Sequence, residues 1–110
     1  MDLLMDLFIL LATHAIGDYP LQGEYLATTK GRNTWHLLMH SVIYTACIVC
    51  GFYIITGITD LSAVTTFVLT SHVLIDYNKA HGYISYFLDQ IGHMIVLSIL
   101  YFGWALMVIK

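Results

Sequence analysis

Four apolar segments of this chain each carry one polar pair spaced four residues apart. They are HAIGD (His14, Asp18), HLLMH (His36, His40), HVLID (His72, Asp76) and DQIGH (Asp89, His93). On an α-helix, residues i and i+4 lie one above the other on a single face. Four such helices can satisfy their polar pairs together by standing side by side with every pair turned inward. Any other arrangement leaves imidazoles and carboxylates among apolar neighbours, where an unpartnered polar group is costly.

The medium around such a bundle follows from composition. Hydrophobic residues make up 59% of the 110, charged residues 10%, and the mean hydropathy is +0.80. A water-soluble domain of this size cannot hide that much apolar surface, so lipid is the expected solvent. The four Lys and Arg form no basic patch, which argues against nucleic acid as a partner. Cys47 and Cys50 sit in an apolar run and read as small core side chains; a CxxC there is weak evidence for redox chemistry or metal. The opening MDLLMDLF has Asp2 and Asp6 where a signal peptide has a basic region, so it reads as a retained first helix.

Boundary signals divide the chain into four helices. The first runs from about Asp2 to Asp18 and stops before Pro20. At 1.5 Å per residue it is about 25 Å long and barely spans the hydrocarbon. The second follows Asn33, a residue type suited to an N-cap, and ends near Thr56 before Gly57. The third starts near Thr59 or Asp60 and ends around His81, with Gly82 as its stop. The fourth runs from about Ile84 to Ile109. Short connections make neighbours antiparallel. The expected fold is therefore all-α: a four-helix transmembrane bundle, up-down-up-down, with residues 1–110 forming one membrane-embedded domain.

Lys30, Arg32 and Lys79 fall on the side of the first and third connections, and Lys110 alone on the other. The positive-inside rule puts those connections in the cytoplasm and both termini outside. Trp35 and Trp104 are the expected interfacial anchors, with His81, Tyr83, Tyr86 and Phe87 in an interfacial belt.

This topology brings the ends that carry the four pairs to one face of the membrane. The pairs then meet in one layer, within about two or three turns of the cytoplasmic surface. The first two helices read HxxxD then HxxxH, and the last two HxxxD then DxxxH. Two pseudo-repeated hairpins related by a two-fold axis invite two metal ions. The expected ligands are His14, Asp18, His36, His40, His72, Asp76, Asp89 and His93; His36, nearest the loop, has facing water as its alternative. A His and a carboxylate one turn apart can share an ion, as in HExxH helices. Three acids left unpaired in mid-membrane cost up to roughly 10 kcal/mol. A structural metal contributes about 10–16 kcal/mol, enough to offset that. Mixed His/Asp ligation suits one or two divalent transition ions, zinc first, then manganese or iron. A single intramembrane His is usually a hydrogen-bonded packing residue, and a single His–Asp pair can be a buried ion pair. Four pairs at one depth go beyond both.

At these residues the chain resembles an uncharacterised, domain-of-unknown-function family of small integral membrane proteins from bacteria and phages. The likeness covers almost the whole chain and rests on HAIGDYPLQ (His14 to Gln22), HLLMH, HVLIDYNK (His72 to Lys79) and LDQIGH (Leu88 to His93). It implies a four-helix protein of the bacterial inner membrane, of bacterial or phage origin, so that the outward termini are expected in the periplasm, and it carries no assigned reaction. A more distant likeness is to inner-membrane proteins regarded as metal-dependent hydrolases, by analogy of His/Asp pairs in membrane helices.

The function expected first is a membrane-embedded, metal-dependent hydrolase, dinuclear if two ions bind, acting on a lipid or lipid-linked phosphoester at the cytoplasmic face. Lys79, one turn beyond Asp76, would bind phosphate, and Glu24 would serve as general base. Gln22, Glu24 and Gln90 are candidates for contacts to ligands or substrate. The second expectation is a metal-ion or proton transporter. Against it, the outer half of the bundle reads as apolar and sealed. Haem held by paired histidines is a third reading, though it needs no Asp one turn from each His. An interaction protein with a structural metal is the fourth. The sequence leaves the oligomeric state open, with a homodimer as one option.

Overall fold

The computed structural model describes residues 2–18 and 34–109. Gln22, Glu24, Lys30, Arg32, Asn33 and Lys110 lie outside the described residues. Among the described residues the chain forms four helices and no strand: α1 (Leu3–Asp18), α2 (Thr34–Thr56), α3 (Ser62–Ala80) and α4 (Tyr86–Ile109).

Hydroxyl residues are frequent in these helices, and the helices satisfy them internally. Thr13, Ser41, Thr45, Thr56, Thr66 and Ser98 each donate to the carbonyl four residues back. The side chain thereby needs no outside partner. Gly57 and Gly82 end α2 and α3 with φ of 72° and 77°, the left-handed turn that glycine takes without a Cβ clash. Asp60 precedes α3 rather than entering it. Its Oδ1 accepts from the Ser62 hydroxyl at 2.9 Å and the Ser62 amide at 3.3 Å, which holds its carboxyl below the usual range. α3 thus starts two residues later than Asp60. α4 starts at Tyr86 because the Ser85 hydroxyl accepts the Leu88 amide at 3.1 Å.

Packing proceeds in chain order, α1 on α2, α2 on α3 and α3 on α4. Glycines set the closest approach. A Cβ on Gly17 would stand 3.1 Å from the Tyr44 backbone, and one on Gly51 would stand 2.8 Å from the Thr13 side chain. Side chains close the ring between α1 and α4. The Tyr101 hydroxyl donates to Asp6 at 2.7 Å near one end, and Gln90 donates to Asp18 at 3.3 Å at the other. Those two ties fix α1 and α4 as antiparallel. Tyr44, Ile48, Val68 and Leu97 form one apolar cluster, and Leu10, Ile55 and Tyr101 another.

The interior combines these apolar clusters with buried polar side chains, and the exterior is largely apolar. Asp6, His14, Asp18, His40, His72, Asp76, Asp89 and His93 are buried, while Leu4, Phe8, Ile54, Leu74, Ile95, Ile99 and Leu106 face outward. Two helices, α2 and α4, are long and apolar enough to cross a membrane, not the expected four. α1 has 16 residues, about 24 Å, and α3 dilutes its 19 residues with Thr65, Thr66, Thr70, Ser71, His72, Asp76 and Asn78. The two cysteines also depart from expectation: Cys47 is half-buried and Cys50 exposed, so only Cys47 packs inward, beside Gly17.

The Gly17 contact makes a simple test. Gly17→Ala should destabilise the detergent-solubilised protein by about 1–3 kcal/mol through overpacking. Gly103→Ala, where an added Cβ would meet no other part of the described residues within 4 Å, should be neutral or stabilise by about 0.5–1 kcal/mol through helix propensity. Denaturant unfolding followed by circular dichroism measures both.

Candidate metal centre

The last turn of α1 carries His14 and Asp18, and the second turn of α2 carries His40. The C-terminal half of α3 supplies His72 and Asp76, and the first two turns of α4 supply Asp89 and His93. All seven are buried, and they converge on one level. His40 Nε2 lies 3.2 Å from Asp18 Oδ1 and 3.3 Å from Asp76 Oδ2, and His93 Nε2 lies 3.4 Å from Asp89 Oδ1. Each gap exceeds the roughly 2.7–2.9 Å of a charge-assisted hydrogen bond. Two donors held about 2.0–2.1 Å from one tetrahedral zinc stand about 3.3 Å apart. The gaps match that separation.

Two sets of donors lie within 4.8 Å of one another: Asp18, His40 and His72, and His72, Asp76 and His93. Each set takes the carboxylate of one HxxxD and the last histidine of the same hairpin, and both use His72. Buried Asp89 Oδ1 and His93 Nε2 face one another with no hydrogen-bond partner among the described residues. Native proteins rarely leave such atoms bare, so a cation fits there. The donor set is imidazole and carboxylate, which suits zinc, manganese or iron(II).

The pseudo-two-fold pattern breaks at His14, whose ring is taken by hydrogen bonds. Gln90 is the hub. Its Nε2 donates to Asp89 Oδ2 at 3.0 Å and to Asp18 Oδ2 at 3.3 Å. Carboxylates only accept, so the amide nitrogen must face them and Gln90 Oε1 must face His14. That oxygen accepts from His14 Nε2 at 3.1 Å. In the neutral ring Nδ1 is then the acceptor, and the Tyr44 hydroxyl donates to it at 2.6 Å. His14 therefore orients two carboxylates through Gln90 and belongs to neither donor set. The Tyr44 ring stacks on His72 at 4.0 Å between centroids, and His72 stacks on His93 at 4.6 Å.

Of the eight expected ligands, five fall in the two sets, Asp89 pairs with His93, and His14 serves as described. His36 is half-buried, one turn before His40, in neither set. Lys79 sits outside the layer, its ammonium 5.3 Å from the Tyr86 ring centroid. Glu24 is outside the described residues. Sequence reasoning missed Tyr44, although it extends the His36–His40 stripe by one more turn, and it gave Gln90 a lesser part than the structure does.

Fold and layer together define a class: an all-helical four-helix bundle with a candidate His/Asp metal centre in its interior. The chain belongs to the DUF3307 family of proteins of unknown function, whose family model matches residues 7–109. No curated protein and no solved structure matches it.

Tyr44→Phe keeps the stack and removes only the hydroxyl. It should cost about 1–3 kcal/mol of stability, the penalty of a buried acceptor left without its donor. Tyr53→Phe, on the exposed side of α2, should stay within about 0.5 kcal/mol. Unfolding of the two variants in detergent gives the comparison.

Proposed function

We propose that this protein is a membrane-embedded metal-binding protein whose centre hydrolyses a lipid or lipid-linked phosphoester. The observation that carries the metal is the meeting of Asp18, His40, His72, Asp76 and His93, from four helices, at ligand spacing in a buried layer. Three carboxylates share that layer, and each ion pair described within it is His–Asp. Neutral imidazoles are ligands for a cation but poor counter-charges for three acids, so a divalent ion balances the layer. The outward apolar side chains of every helix, Leu4 and Phe8 on α1 and Leu74 on α3 among them, and the polar layer inside support insertion of all four helices.

A bound zinc, manganese or iron(II) ion would supply a Lewis acid for a phosphoryl oxygen and lower the pKa of water. The chain's own residues do the rest. Gln90 and His14 hold Asp18 and Asp89 in position, and Tyr44 fixes His14 and packs His72. Lys79, one turn past Asp76, binds phosphate at headgroup depth, and Glu24 takes the proton of the attacking water.

One observation favours transport as a second reading. Asp6 is fully buried in α1, 12 residues before Asp18 and about 18 Å from it along the axis, with Tyr101 as its partner. The outer half is thus not wholly apolar. Leu10, itself buried, separates Asp6 from His14 and keeps hydrolysis first.

Elemental analysis of detergent-purified protein should find one or two equivalents of a transition metal. His40→Ala, which removes the imidazole between Asp18 and Asp76, should lose most of it, while Asp60→Asn should keep it. Phosphoester turnover should fall at least tenfold in Glu24→Gln with metal content unchanged. Folded wild-type protein that binds no metal would end the metal reading. Metal-dependent flux into proteoliposomes that Asp6→Asn abolishes would place transport first.

A further inference from the structure

The outer face of α4 carries a groove that leads to the polar layer. It has a volume of about 370 Å³ and runs from Phe87 and Gln90 past Met94 to Ser98 and Ile99. A second hollow of about 190 Å³, between α1 and α4, shares Met94 and Ser98 with it and adds Leu7, Leu10 and Leu11. The two form one trough beside the α1–α4 seam. That seam is tied by side chains rather than by close backbone approach, which leaves the trough room.

The trough has an apolar length and a polar end. The Ser98 hydroxyl donates its one proton to the Met94 carbonyl, so it has no donor left for a ligand. From Gln90 to Ile99 is nine residues, about 13 Å, close to one leaflet of a hydrocarbon core about 30 Å thick. At the polar end stands Gln90, half-buried, whose amide already touches Asp18, Asp89 and His14. One turn earlier is Tyr86, with the Lys79 ammonium over its ring. Lys79 is the one Lys or Arg among the described residues, and it brings a positive charge to the headgroup end.

We propose that this trough seats one acyl chain of an anionic phospholipid, with its phosphate at Lys79 and its headgroup linkage beside Gln90. The proposal rests on the membrane-embedded reading above and not on the metal. It names the substrate class of that reading as a bilayer lipid that reaches the layer sideways, past Gln90, from the leaflet.

The test uses the full chain in phosphatidylcholine nanodiscs with a trace of phosphatidylglycerol carrying a diazirine midway along one acyl chain. After photolysis, labelled peptides are mapped by mass spectrometry. Labelling of Met94 to Ile99 should exceed that of Thr70, an exposed residue of α3 at similar depth, at least fivefold. Excess unlabelled phosphatidylglycerol should erase the difference. Ser98→Trp should lower trough labelling to the Thr70 level, and Lys79→Gln should remove the preference over a phosphatidylcholine probe. Equal labelling around the bundle, or trough labelling that unlabelled lipid does not displace, overturns the proposal. Metal content is measured on the same samples. Trough labelling in metal-free protein upholds the lipid site while ending the metal reading; uniform labelling of metal-loaded protein ends the lipid site alone.

Discussion

Three carboxylates at one level inside an apolar bundle set the terms for everything else in this molecule. A buried charge is tolerated only when it is paired and hydrogen-bonded. Asp18, Asp76 and Asp89 each face an imidazole, and Gln90 ties two of them together. That arrangement works only if helices approach closely and in fixed rotation. Gly17 provides this on α1, where its missing Cβ lets the Tyr44 backbone come near enough for the Tyr44 hydroxyl to reach His14. Glycine, tyrosine, histidine and glutamine form one chain of dependence, from helix packing to the orientation of the acids.

Periodicity made most of this legible. The i, i+4 pairs placed seven of eight side chains in the interior, because a helix has one spacing and an apolar exterior admits one rotation. The turn glycines marked the ends of α2 and α3. Tertiary detail was hidden. Nothing local says that Tyr44 of α2 meets His14 of α1, or that Gln90 of α4 reaches across to α1; both are contacts between residues far apart in sequence. The expected symmetry of the hairpins also failed at His14, since two-fold patterning of a motif does not enforce two-fold hydrogen bonding. Asp6 read as an argument against a signal peptide, whereas its pairing with Tyr101 closes the bundle at the other end. Span counting erred for two separate reasons, since all four helices carry part of the polar layer: α1 is short at 16 residues, and α3 is diluted by hydroxyl and amide side chains.

The apolar exterior and the polar layer are joined at Gln90. Its amide holds the acids on one side and borders the α4 trough on the other. Chemistry at the layer and recognition of a lipid would therefore share a side chain. A metal bound in the layer and a lipid in the trough would each feel the other through that amide. Such coupling needs no moving domain, only a side chain bonded to the acids on one face and bordering the trough on the other.

X-ray absorption at the metal edge of the purified protein probes the layer itself. The account predicts a shell of nitrogen and oxygen alone at about 2.0–2.1 Å, with the outer-shell scattering of imidazole. Sulfur at about 2.3 Å would move the site to Cys47 and Cys50 and contradict it, as would an edge with no imidazole signature.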